Sequence, residues 1–126
     1  MTPDVLKALV QADKVAAGLV VAHSRTSAIA HIAASCGFQW LFVDLEHGST
    51  SLQTASEICT AALSAGIAPF VRVPENAPAW IGRALDGGAV GVVVPHIDSA
   101  SDAVLAATAR AVSFLPRQFR SIAEQY

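Results

Sequence analysis

The apolar positions of this chain form short continuous runs that alternate with longer stretches of helical spacing. Four runs predict strands, at residues 16–22, 40–43, 69–71 and 90–94. Because each run is apolar throughout rather than at every second position, the runs fit strands buried on both faces.

The stretches between these runs carry apolar residues at helical spacing, with stop and start signals at their ends. We expect a first helix over residues 3–12, a second capped by residues 24–26, a third from about Ser51, a fourth from Pro78 to Asp86, and a last one capped by Asp98 and Ser99. Glycines close the middle three helices, at Gly37, Gly66 and positions 87–88. The predicted buried faces are Ile29, Ile32, Ala33 and Cys36; Leu52, Ala55, Cys59, Ala62 and Leu63; and Val104, Leu105, Thr108, Ala111 and Val112.

Strands that alternate with helices predict an α/β fold with parallel strands joined by right-handed crossovers, here a (β/α)4 unit. Four such units can form a small three-layer sandwich or half of a TIM-type (β/α)8 barrel, which typically needs ~250 residues. Nothing in the sequence blunts the strand at either edge, which favours the half-barrel. We expect residues 1–126 to form one domain.

The composition narrows the classes of function. Hydrophobic residues make up 53% and charged residues 14% of the chain, so some apolar surface is expected to meet a partner, and we predict a homo-oligomer. The net charge is −2 and the basic residues are dispersed, which argues against nucleic-acid binding. No stretch is apolar for long enough to predict a membrane span or a signal peptide, so we expect a cytoplasmic protein. Cys36 and Cys59 lie at apolar helical positions and are predicted to be buried free thiols.

Polar residues follow the predicted strands. They are His23 after the first, Asp44, Glu46 and His47 after the second, Arg72 after the third and His96 after the fourth. Because the carboxyl ends of parallel strands share one edge, we expect these side chains on one rim, with Asp44 pointing inward.

Two of these residues allow a structural and a chemical interpretation. His47 either caps the following helix or, beside two carboxylates, acts as a general base. Arg72 either forms a buried ion pair with Glu46 or Asp44, or presents a fork to a substrate carboxylate or enolate oxygen; the two are compatible. A metal-hydrolase site made from His23, His47, His96 and Asp44 is a weaker alternative, because no two of these histidines have local ligand spacing.

Four motifs resemble, in order and at matching spacings, the first half of the class II pyruvate aldolases of the hydroxy-oxo-heptanedioate aldolase family (HpcH/HpaI type). They are FVDLEHG at 42–48, VRVP at 71–74, IGRALDGGA at 81–89 and VVVPH at 92–96, and the similarity runs from about residue 16 to residue 121. The resemblance implies a (β/α)8 barrel that cleaves 4-hydroxy-2-oxo acids into pyruvate and an aldehyde.

The resemblance also implies roles for single residues. His47 would belong to the base machinery, positioned by Asp44 and, from a neighbouring subunit, by Asp86. Arg72 would hold the pyruvate carbonyl or enolate oxygen, with Glu46 beside the substrate.

One departure from the family concerns its divalent metal, Mg2+ or Mn2+. The family's metal-binding Glu and Asp come from the second half of the barrel, so we expect no metal ligands in this chain. We therefore expect the isolated chain to turn over little or no substrate. The alternative function is a catalytically inactive half-barrel that acts as an assembly or binding module.

Overall fold

The computed structural model describes residues 3–109 of the protein. Its elements, in chain order, are α1 (Pro3–Gln11), β1 (Gly18–Val21), α2 (Ala28–Ser35), β2 (Trp40–Asp44), α3 (Leu52–Ser64), β3 (Ala68–Arg72), α4 (Pro78–Asp86), β4 (Gly91–Val93) and α5 (Ala100–Ala109). Every predicted strand and helix is present, and the bounds of most differ from the prediction by a few residues. The α/β class is confirmed.

The four strands form one parallel sheet in the order β1-β2-β3-β4. The register pairs Val21 with Val43, Val43 with Val71, and Val71 with Val92. Strands that follow one another in sequence are neighbours throughout, so the order never reverses as it does in a doubly wound sandwich. The unit is therefore half of a TIM-type barrel.

The two faces of the sheet differ in burial. On one face Leu41, Val43 and Val71 are fully buried and pack with Ala33 and Ile58 of the helices. The alternate residues point to the other face, which is only partly covered. Val20 on that face is 62% exposed. The prediction that the strands are buried on both faces is therefore wrong for this chain, because all the crossover helices cover the same face.

Several local signals place the helix ends. Gly37 and Gly66 adopt φ values of +85° and +80°, the left-handed conformation that ends a helix and that glycine adopts without strain. Ser51 caps α3 by accepting a hydrogen bond from the Thr54 amide at 3.1 Å, and Ser99 caps α5 through the Asp102 amide at 3.2 Å. The predicted cap of α2 at residues 24–26 is confirmed only in part: Ser27 is the N-cap position and makes no side-chain cap bond, but Thr26 Oγ1 accepts a hydrogen bond from the Ala28 amide at 3.2 Å.

Some predicted buried residues lie on the surface. Cys59 is buried, and burial raises the pKa of its thiol to about 12, but Cys36 is exposed. Exposed too are Ile32, Leu63, Val104, Leu105 and Thr108. These residues lie on the outward side of their helices, so the helical spacing of apolar residues did not predict burial there. Ala111 and Val112 lie outside the described residues.

Candidate active site

A carboxylate and a guanidinium face each other where β2 and β3 end. Asp44 and Arg72 are register partners, so their side chains leave the sheet on the same side. Arg72 donates to Asp44 through Nε to Oδ1 at 3.0 Å and through Nη2 to Oδ2 at 2.5 Å. This bidentate pair fixes the plane of the guanidinium. Asp44 is only 4% exposed and is the sole buried charged residue in the part of the chain that the structure describes.

Asp44 also shapes the loop that follows β2. Its Oδ1 accepts hydrogen bonds from the backbone amides of Glu46 at 2.9 Å and His47 at 3.1 Å. The hydrogen bond from Arg72 lowers the pKa of Asp44 from 3.8 to about 2, burial opposes that shift, and the two amides add to it. Asp44 is therefore a permanent anion that holds both Arg72 and the loop.

The loop rests on the end of β1. The Ser49 amide donates to the carbonyl oxygen of Ala22 at 2.8 Å, and a side chain at Gly48 would overlap the carbonyl oxygens of Ala22 and Asp44. Glycine is required here because no Cβ fits between the loop and the strand. His23 then lies beside the same loop, with Nδ1 at 3.1 Å from the Ser49 hydroxyl.

Glu46 connects Arg72 with two histidines. Its Oε2 lies 3.3 Å from Arg72 Nε and 3.6 Å from His47 Nε2, and its Oε1 lies 2.8 Å from His96 Nε2. The Glu46 carboxylate is 10% exposed, whereas the rings of His47 and His96 are 67% and 76% exposed. Glu46 is thus an inner carboxylate with two imidazoles on its solvent side.

Arg72 keeps one edge open. Its guanidinium lies over the Phe42 ring, with Cζ 5.5 Å from the ring centroid, and the neighbouring Asp44 raises its pKa. Within residues 3–109, nothing accepts a hydrogen bond from Nη1. A permanently charged group with free N–H donors beside solvent is suited to bind an anion.

The rim predicted from the sequence is present, with one difference. Asp44 binds the backbone of His47, and the carboxylate nearest the His47 imidazole is that of Glu46. Asp86 lies away from this cluster, exposed at the end of α4 beside Gln53 and Ser56 of α3. It makes no contact with Asp44 or Arg72 among the described residues, so its predicted role from a neighbouring subunit stays a prediction.

The cluster does not form a metal site. Residues 3–109 contain no group of three or more His, Cys, Asp or Glu side chains that could hold a metal ion. His23 turns to Ser49 while His96 turns to Glu46, so the histidines do not converge on Asp44 as a metal hydrolase would require. Both oxygens of Asp44 already bind Arg72, whose charge would repel a cation.

Sequence reasoning missed two contacts at this site. Phe42 supports Arg72 from beneath, and its position two residues before Asp44, on the same face of β2, was the available signal. The bond from His96 to Glu46 spans fifty positions and left no local signal.

Among the described residues, no helix is long and apolar enough to cross a membrane.

A parallel sheet in sequential order, with charged groups at the carboxyl ends of its strands, defines the chain as part of a barrel of the TIM class. The family is defined by sequence: the HpcH/HpaI aldolase/citrate lyase model matches residues 18–125, and the chain belongs to that family.

Similar proteins include several aldolases. The chain is 44% identical over 95 residues to a 4-hydroxy-4-methyl-2-oxoglutarate aldolase of Chaetomium globosum, covering 75% of this chain and 35% of that protein. It is 35% identical over 100 residues to the 2-dehydro-3,6-dideoxy-6-sulfogluconate aldolase of Pseudomonas putida, covering 79% and 38%.

Solved structures give the same result. An HpcH/HpaI aldolase from Desulfitobacterium hafniense matches with a TM-score of 0.72 and 29% identity, covering 80% of this chain and 39% of that one. A family protein from Burkholderia cenocepacia matches with a TM-score of 0.73 and 29% identity, covering 86% and 42%. The chain thus spans well under half the length of these relatives.

Proposed function

We propose that this chain supplies the substrate-binding and base residues of an aldolase that cleaves 4-hydroxy-2-oxo acids into pyruvate and an aldehyde. The observation that carries the proposal is the Arg72 guanidinium, held by Asp44 on one side and open at Nη1 on the other. A 2-oxo acid offers a carboxylate and a carbonyl oxygen side by side, which match such a planar fork. The names of the relatives, among them 4-hydroxy-4-methyl-2-oxoglutarate aldolase, support this substrate class.

In this proposal Arg72 stabilises the negative charge that develops on the substrate during cleavage. Cleavage of the bond between C3 and C4 leaves an electron pair that becomes the enolate of pyruvate, and the enolate oxygen carries most of the new charge. A guanidinium whose orientation is already fixed by Asp44 stabilises that oxygen without reorganising during the reaction. Glu46 lies beside the substrate and limits how far Arg72 can move.

His47 is the proposed base. It takes the proton from the 4-hydroxyl group, the C3–C4 bond breaks and the aldehyde leaves. The His47 imidazolium then returns a proton to C3 of the enolate, which gives pyruvate and restores the neutral imidazole. Glu46 Oε2, 3.6 Å from His47 Nε2, stabilises the imidazolium that forms. The large exposed fraction of the His47 ring leaves it free to reach a substrate bound on Arg72.

The family implies a divalent metal, Mg2+ or Mn2+, which would act as a Lewis acid at the enolate. The described side chains do not fit such an ion, because the carboxylates of Asp44 and Glu46 are already bound to Arg72 and His96. No step of the mechanism is assigned to the metal. We propose that the metal's ligands lie elsewhere in the complete barrel.

Assembly belongs to the same proposal. The partly covered inner face of the sheet, with Val20 exposed, supports an N-terminal half-barrel that is completed by further strands or by another copy. We propose a cytoplasmic homo-oligomer in which Asp86 approaches the site of a neighbour. The alternative, an inactive assembly module, shares this open face but gives no reason for an open guanidinium edge.

Pyruvate binding separates the two functions. We expect pyruvate to bind the purified protein in a calorimetric or NMR titration, and the Arg72→Lys variant to bind at least tenfold more weakly, because lysine cannot form the planar fork. His31→Gln, on the exposed side of α2, is the control and should bind as the wild type does. Equal affinity in the Arg72→Lys variant would remove Arg72 from the substrate site.

A further inference from the structure

The contact between His96 and Glu46 has no role in the mechanism proposed above, yet it is the shortest contact that Glu46 makes. His96 Nε2 lies 2.8 Å from Glu46 Oε1, against 3.3 Å from Oε2 to Arg72 Nε. His96 reaches this position from a backbone with φ of +56°, a left-handed conformation that is uncommon for a residue other than glycine. A strained residue that points a polar ring at an active-site carboxylate is a candidate for a functional role.

The geometry around Arg72 indicates what this contact prevents. Asp44 occupies Nε and one side of Nη2, and Glu46 Oε2 lies near Nε. The two N–H groups of Nη1 and the second N–H of Nη2 are the parts of the guanidinium left to a substrate in the described structure. Glu46 is itself a carboxylate that contacts the guanidinium at Nε, so a rotation of its side chain toward Nη1 would bring an internal anion into the place of the substrate anion. Glu46 Oε1 has one hydrogen-bond partner among residues 3–109, and that partner is His96.

We propose that His96 is a positioning residue that holds Glu46 on the Nε side of Arg72 and thereby keeps an internal carboxylate out of the substrate's place. The inference rests on the proposed function, because it takes Arg72 as the anion-binding group. The loop after β4, which carries His96, then contributes to substrate affinity. The negative charge of Glu46 by itself would oppose the binding of an anionic substrate.

The charges at the site agree with this role. Asp44 and Glu46 are two carboxylates against the single guanidinium of Arg72. The nearest remaining groups that can donate to Glu46 are the rings of His47 and His96, and only the His96 ring is within hydrogen-bond distance. Without His96, the second carboxylate oxygen of Glu46 can accept a hydrogen bond from the Arg72 guanidinium instead.

The test is a double-mutant cycle measured by pyruvate titration. His96→Leu should weaken binding by about tenfold, a factor in keeping with one hydrogen bond to a charged group. His96→Gln, whose amide can still donate to Glu46, should recover most of the affinity. In a Glu46→Gln background the same His96→Leu change should have little effect, because a neutral amide competes poorly for Arg72. His31→Gln is again the matched control.

Each result bears on the proposal. Wild-type affinity in His96→Leu would overturn it, and so would an equal loss in both backgrounds, since His96 would then act on something other than Glu46. If pyruvate does not bind the wild-type protein at all, the proposed function is refuted. A crystal structure of the His96→Leu protein then still tests the positioning role. Movement of Glu46 to Nη1 of Arg72 supports the positioning role, and an unmoved Glu46 refutes it.

Discussion

The pair of Asp44 and Arg72 makes a quantitative prediction about stability. Asp44→Asn removes the charge that holds Arg72 and the loop after β2. The pKa of Asp44 falls from 3.8 to about 2 in the folded protein, and a shift of this size corresponds to about 2 kcal/mol of folding free energy. The Asp44 side chain is nearly buried, so solvent screening reduces this figure little. We expect the variant to lose about 2 kcal/mol at pH 7.

The pH dependence follows from the sign of the shift. Because the pKa of Asp44 is lower in the folded than in the unfolded protein, its contribution is complete above about pH 5 and is lost as the pH falls through 3.8 towards 2. The difference in unfolding free energy between wild type and Asp44→Asn should therefore shrink by about the same 2 kcal/mol between pH 6 and pH 2.

Urea unfolding followed by circular dichroism at one fixed protein concentration measures this difference at each pH. Asp98→Asn, which changes an exposed carboxylate near α5, is the matched control and should alter stability by less than about 0.5 kcal/mol. A difference for Asp44→Asn that stays below about 0.5 kcal/mol at pH 7, or that does not change with pH, would refute the electrostatic account of this pair.

Three further predictions concern other parts of the molecule. Gly18→Ala should destabilise the protein by about 1–3 kcal/mol in urea unfolding, because the new Cβ would overlap the Trp40 ring, whereas an unchanged midpoint would mean that the ring moves freely. The 126-residue chain should sediment at micromolar concentration as a dimer or larger assembly, because Val20 and its face of the sheet are open, and a stable monomer would contradict this. The same chain should release little or no pyruvate from a 4-hydroxy-2-oxo acid even with Mg2+ or Mn2+ added, because residues 3–109 offer no metal site, and turnover at rates usual for enzymes would contradict that.

The sequence was most informative where one residue type permits one backbone conformation. Gly37 and Gly66 ended their helices as predicted because few other residues adopt a positive φ, and Pro78 marked the start of α4. The run from Trp40 to Asp44 and the polar residues after it located the site, since parallel strands end at one edge. These are local rules, and they hold without knowledge of tertiary contacts.

The sequence was least informative about which apolar residues are buried. Ile32 and Val104 have the spacing of core residues, but both are exposed, because a chain that is 53% hydrophobic places such residues on outer surfaces as well. Glu46 has Arg72 as a predicted ion-pair partner, but its contacts with the two histidines could not be predicted. Its bond to His96 depends on a left-handed residue at a position where the sequence has no glycine, and its distance to His47 depends on the backbone bonds made by Asp44.

The central claim is that Arg72 binds the oxo acid through its open edge. A crystal structure of the protein grown with saturating pyruvate tests it most directly. We predict that the carboxylate or 2-oxo oxygen of pyruvate lies about 2.7–3.2 Å from Nη1 of Arg72, with the bonds from Nε and Nη2 to Asp44 unchanged. Pyruvate bound elsewhere, with Nη1 still facing solvent, would contradict the account.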